Sequence, residues 1–172
     1  RRRKRMAGPL RISLNIDSPL RSMLLVMRTV PAELRKQHAQ QTKKAAQPIW
    51  TEETRDGAQT RVQQRVLVNT ARVGVTQRNV FLRSGQTGEL RSGTPVSVLA
   101  EAAEWGIGPD KEITTHSRKG TEYTRRMGSA FPPTRRGGYV VYQAAARSIT
   151  RFAALWIQTA VRTLLDAFEG KK

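Results

Sequence analysis

Four runs of basic side chains carry the clearest chemistry in this sequence: Arg1, Arg2, Arg3, Lys4 and Arg5; Arg118 and Lys119; Arg125 and Arg126; Arg135 and Arg136. Guanidinium groups match phosphate oxygens two at a time, so each run is a candidate contact for a phosphate or for an acidic neighbour in an assembly. The whole chain leans the same way, with 31 Lys and Arg against 13 Asp and Glu and a formal charge of +18. A chain this basic meets a polyanion: DNA, RNA, an acidic membrane or an acidic partner protein. No zinc finger, basic zipper or RNA-recognition aromatic pair is present, and aromatic residues are 6% of the chain. Nucleic acid, if bound, would therefore be held by its backbone and without sequence preference.

Catalytic templates fit poorly. The nearest approach to a phosphate-cradling loop, Gly85-Gln86-Thr87-Gly88, lacks the lysine that such a loop requires. A nuclease gathers several carboxylates around one or two ions, and none of the acidic residues has such a spacing. Glu101 and Glu104 lie one helical turn apart and read as ordinary helix surface. His116 beside Ser117 offers no nucleophile beyond residue type. Without cysteine there is no disulfide or thiolate metal site, and His38 and His116 alone would leave a zinc site mostly carboxylate. Neither enzyme activity, a metal nor a cofactor is expected.

The elements that must position the basic runs are legible from hydrophobic period. Arg1 to Arg5 open an arm over residues 1–9 that repels itself, with Met6 as an internal residue or an alternative start. Leu10, Ile12, Leu14 and Ile16 alternate with polar residues as a half-buried strand, and Asp17-Ser18-Pro19 begins a helix. That helix, Leu20 to Gln47, is expected to break at Pro31 and to end at Pro48, with Ile49-Trp50 as an apolar anchor. A new helix is expected to start near Thr51 and to stop at Gly57. Residues 59–67 fit either helix or strand, because Val62 with Val66 and Val66 with Val68 satisfy different periods. Ala71 to Val75 and Val80 to Arg83 read as a hairpin.

The hydrophilic span 108–130 reads as a protruding hairpin with Arg118-Lys119-Gly120 at its tip. Phe131-Pro132-Pro133 and Gly137-Gly138 then keep the chain open before a long amphipathic helix. Its apolar residues include Ile149, Phe152, Trp156, Ile157, Val161, Leu164 and Phe168, and Gly170 is the expected cap. The expected core comprises Trp50, Trp105, Ile149, Phe152, Trp156 and Leu164. No apolar run approaches the roughly 18 residues that cross a bilayer, and Met23 to Met27 is too short and misplaced for a signal peptide, so a soluble chain is expected.

Several of these stretches carry a family resemblance. They are Ala46-Gln47-Pro48-Ile49-Trp50, Arg65-Val66-Leu67 with Thr70-Ala71-Arg72-Val73, Glu104-Trp105-Gly106, and Gly138-Tyr139-Val140-Val141-Tyr142 leading to Ala153-Ala154-Leu155-Trp156. In this order the chain, over residues 10–170, resembles the neck or tail-completion proteins of long-tailed phages of actinobacteria, within the head-tail connector and tail-component family. Trp105 stands where that family often has Phe, and Ser92-Gly93 where it has Gly-Gly. The resemblance implies a non-enzymatic structural protein of the virion, made in the host cytoplasm, that forms a ring, commonly six-fold. Its partners would be the stopper, other neck proteins and the tail tube, with genome DNA passing through the lumen.

The expected fold class is α+β: an antiparallel sheet packed by a long C-terminal helix and an N-terminal helix, with a protruding basic hairpin and an N-terminal arm. Residues 10–170 form one domain, and 171–172 are a tail. Two rival functions stand beside the connector: a nucleic-acid-binding protein without sequence preference, acting through the arm and the loop, and a nuclease or small hydrolase.

Overall fold

The computed structural model describes residues 10–13, 25–76, 79–117, 119–126 and 128–170. After strand β1 (Leu10–Ser13) and a helical turn at residues 25–29, helix α1 (Ala32–Gly57) runs for 26 residues. Helix α2 begins at Arg61–Gln63 and continues as a wider π-turn over Gln64–Val68. Strands β2 (Arg72–Val75) and β3 (Asn79–Arg83) follow, then helix α3 (Val96–Trp105), strands β4 (Glu112–His116) and β5 (Glu122–Arg126), and helix α4 (Val141–Phe168). The order is α+β, with antiparallel pairing throughout. One sheet has the strand order β1-β3-β2, and β4-β5 is a separate ribbon.

Helix α1 is the wall shared by the two halves of the core, touching both β2 and α4. Trp50, fully buried on α1, packs with Val73, Val80 and Leu82 of the sheet and with Phe152 and Trp156 of α4. Trp50 Nε1 also donates to the Arg83 carbonyl (3.1 Å), tying the helix to the end of β3. This anchoring explains why α1 runs through Pro48 and does not end there. A proline costs a helix about 3 kcal/mol, and truncating a buried tryptophan costs roughly 3 to 5 kcal/mol, so packing on both sides outweighs the lost bond. Thr51 therefore starts no helix; its hydroxyl bonds back to the Gln47 carbonyl (3.0 Å), and Thr54 does the same to Trp50 (2.9 Å). Gly57 is the last residue of α1.

Gln47 also finishes the sheet. Its side-chain amide donates to the Ala71 carbonyl (2.9 Å) and accepts from Val73 N–H (2.9 Å), so one glutamine occupies the β2 edge as a neighbouring strand would. The ambiguous stretch 59–67 is helical at its centre because its start is locked locally. Thr60 Oγ1 accepts from Gln63 N–H (3.1 Å) while Gln63 Oε1 accepts from Thr60 N–H (3.1 Å). Gln63 is itself buried, and its amide donates to the Ala103 carbonyl (3.2 Å), fastening α2 to α3.

Three of the expected core residues are buried outright: Trp50, Phe152 and Trp156. Ile149 is not, with 48% of its surface exposed, while Trp105 and Leu164 are half-buried. The physical reason lies in α4, whose apolar residues form two stripes. Ala145, Phe152, Trp156 and Ala160 face the core; Val161 and Phe168 face away, and Ile149 sits on the border. Trp105 lies against the Tyr142 ring at the start of α4, with centroids 5.9 Å apart.

His38 of α1 packs edge-on against the Trp156 ring (5.1 Å between centroids), and its Nε2 lies 3.3 Å from the Trp156 carbonyl, which sets Nε2 as the protonated nitrogen. Burial lowers the His38 pKa below its ordinary value of 6.5, outweighing the carbonyl contact that favours the charged ring. A histidine depressed on folding contributes stability above pH 6.5 that is lost as the pH falls through the folded value. Melting temperature is therefore expected to drop between pH 7 and pH 5, and His38→Gln should flatten that part of the profile. A second expectation separates the two buried tryptophans. Trp156 Nε1 has no hydrogen-bond partner, so in urea unfolding Trp50→Phe should cost about 1 kcal/mol more than Trp156→Phe, the worth of the bond to Arg83.

Candidate functional site

The most densely bonded polar group in the chain is the carboxylate of Glu104. It lies at the end of α3 and is 6% exposed. Its Oε2 accepts from the N–H groups of Val140 (3.1 Å) and Val141 (2.8 Å), and its Oε1 from Tyr142 N–H (2.9 Å). These are donors at the start of α4, which no residue of that helix satisfies from its own turn; the residue before the helix is Val140, which has no side-chain acceptor. The cap arrives from another helix, and its negative charge meets the positive end of the α4 dipole. Glu104 is thus not the helix surface that its spacing from Glu101 suggests.

The chain around Glu104 is shaped to let this happen. Tyr139 N–H donates to the Glu104 carbonyl (2.9 Å), Arg135 N–H to the Trp105 carbonyl (2.8 Å), and Ile107 N–H to the Pro132 carbonyl (2.9 Å). Gly106 (φ +74°) and Gly138 (φ +62°) complete the approach. A methyl group at Gly106 would collide with the Pro133 carbonyl, and one at Gly138 with Glu104 Oε1. The motifs Glu104-Trp105-Gly106 and Gly138-Tyr139-Val140-Val141-Tyr142, distant in sequence, are one interlocked unit, and no local signal in either announces it.

A second carboxylate works across the two long helices. Glu53 of α1, 9% exposed, receives Arg151 Nη1 (2.6 Å) and Arg147 Nε (3.2 Å) from α4, and Arg147 Nη2 also bonds the Glu53 carbonyl (3.2 Å). Two guanidinium groups share one carboxylate, and each remains about half exposed.

The basic residues singled out from the sequence divide into three groups. Arg1, Arg2, Arg3, Lys4, Arg5 and Arg118 lie outside the described residues. Lys119, Arg125 and Arg126 are exposed on the β4-β5 ribbon, where Ile113 pairs with Arg125 and Glu112 with Arg126. Arg126 approaches the Glu112 carboxylate at 3.7 Å in the open. Gly120 (φ +82°) makes the turn, closed by Ser117 N–H to the Thr121 carbonyl (2.8 Å). Every residue of β5 is exposed. Arg135 and Arg136 sit on a different element, the loop leading into the Glu104 cap, where Arg135 stacks over the Tyr139 ring at 5.4 Å. The structure records no contact that gathers ribbon and loop arginines into one patch among the described residues.

Two shallow grooves are present among the described residues. One follows the outer face of α1 along Lys43, Lys44, Thr51 and Arg55, and the other lies between the start of α1 and the β2-β3 turn. Among the described residues no three His, Asp or Glu side chains come within reach of one ion, and no helix is long and apolar enough to cross a membrane. Comparison with protein-family models, with curated proteins and with solved structures returns no match to this chain.

Removal of the cap tests the site. Glu104→Ala leaves three N–H groups at the buried start of α4 without an acceptor, each costing about 1 to 3 kcal/mol. Denaturant unfolding should show a loss of about 3 kcal/mol or more. Glu104→Gln, which keeps one acceptor oxygen, should lose less than half as much.

Proposed function

We propose that this chain is a structural protein of a phage virion that forms a ring, of six-fold type, at the neck or top of the tail, joining the head-side connector to the tail tube and leaving a passage for DNA. The observation that carries this reading is the β4-β5 ribbon. Two strands of five residues with β5 exposed along its whole length are marginal by themselves in water. A ribbon of that kind gains its stability by lying on another surface, and in a ring that surface is the neighbouring subunit. The motif resemblance supports the same reading, since the matching residues are those that build the Glu104 unit from which ribbon and α4 both extend. Its partners are then stopper and tail tube proteins, with the exposed arginines meeting acidic neighbours or the backbone of DNA in the lumen.

A second reading is favoured by one feature: Lys119, Arg125, Arg126, Arg135 and Arg136 are all exposed. They suit contact with nucleic acid through phosphates without sequence preference. The two readings separate in one experiment. Light scattering and negative-stain imaging of the purified chain should show closed rings with a central hole, and replacing residues 112–126 by a short Gly-Ser link should abolish them. A chain that stays monomeric, and whose DNA affinity falls steeply with salt, would replace the ring with the second reading.

A further inference from the structure

The outer stripe of α4 is complementary to itself. Ala146, Thr150, Ala153, Ile157, Val161, Leu164 and Phe168 succeed one another at spacings of four, three, four, four, three and four. At 3.6 residues per turn they share one face, about 130° around the helix from the buried stripe. All seven are exposed or half-buried, with Val161 at 40% and Phe168 at 88%. The spacing is a palindrome centred on Ile157, made of two eleven-residue repeats, a period that keeps a pair of helices in register with little supercoil.

Laid against an antiparallel copy of itself, this face brings a small residue opposite a large one in each layer. Ala146 meets Phe168, Thr150 meets Leu164, Ala153 meets Val161, and Ile157 meets itself. The flank carries charge without conflict. In the same register Arg147 lies opposite Glu169, Arg151 opposite Leu165, and Arg162 opposite Ala154, so no like charges face each other despite the chain's overall +18. An isologous two-fold contact requires this self-matching, and a helix serving only its own core has no use for it.

The geometry points to α4 as a two-fold, antiparallel docking surface for a second copy of this chain, with Ile157 on the symmetry axis. The inference does not rest on the ring. A ring closes by contact between two different patches, whereas this contact joins two protomers, or two rings face to face. The stripe spans about 33 Å of helix, which falls at the small end of the roughly 800 Å² per partner of a standard interface. The pair is therefore expected to dissociate on dilution.

Since the chain contains no cysteine, a single introduced thiol reports the geometry. Oxidised Ile157→Cys should run as a dimer on a non-reducing gel, because only a residue on the axis meets its own copy at disulfide distance. Ala146→Cys and Phe168→Cys should each stay monomeric alone and cross-link when mixed. Phe168→Glu, at a position too exposed to disturb the fold, should leave the circular dichroism spectrum unchanged and weaken dimerisation about tenfold or more in sedimentation velocity. Monomers at every concentration would overturn the inference. So would self-linking of Ala146→Cys and Phe168→Cys, which signals parallel pairing, or an association that Phe168→Glu leaves intact. Rings that persist without the Ile157→Cys cross-link would leave the proposed function standing while removing this contact.

Discussion

A buried carboxylate under the first turn of the longest helix holds this molecule's organisation. Glu104 reaches from α3 to three backbone donors of α4. The segment that crosses between them is bound back to Trp105, Ile107 and Glu104 through main-chain bonds. This fixes where α4 begins and in which direction it leaves. Because α4 then packs along α1, and α1 holds the sheet, the position of one side chain propagates to both halves of the core. A helix start without local capping residues would fray; here the missing cap is supplied by tertiary structure, and only when the glycines at 106 and 138 allow the backbones to meet.

The charge balance takes on a structural sense from the same observation. Acidic residues are the minority, yet Glu53 and Glu104 are the two acidic side chains buried among the described residues. Each is used to bond elements distant in sequence: Glu104 through uncharged N–H groups, Glu53 through two arginines of α4. Neither is left to neutralise the exterior. The positive excess therefore stays on the outside, on the β4-β5 ribbon and on the loop before α4, where it is available to phosphate or to acidic protein surfaces.

Helix α4 carries more apolar surface than one core consumes. Its inner stripe meets α1 and the sheet, while its outer stripe remains in solvent along the helix. Together with a ribbon exposed along β5, this gives a molecule whose described surface is apolar in a directional way, along one helix and beyond one hairpin. Scattered apolar side chains are normal on any protein, but aligned ones of this extent mark contact with another chain. Structural proteins of assemblies divide their apolar residues in this manner between holding a fold and holding a neighbour.

Hydrophobic period and turn chemistry alone determined much of this architecture. The β2-β3 hairpin, the protruding ribbon with Gly120 at its turn, the stop at Gly57, and the long C-terminal helix were all legible, since each depends on neighbours a few residues apart. Burial was legible where an aromatic ring lay in the middle of a stripe, as with Phe152 and Trp156. What the sequence could not express was which of two overlapping stripes on α4 faced inward, and so Ile149 reads as core when it is border. Nor could it show that α1 passes through Pro48, because the proline's cost is local and visible while the packing of Trp50 that offsets it comes from strands 20 to 35 residues away. The roles of Gln47, Glu53 and Glu104 were equally hidden. Each bonds a backbone or side chain far along the chain, and a long-range hydrogen bond leaves no periodic trace in a sequence; only the folded arrangement decides which polar residue will be its partner.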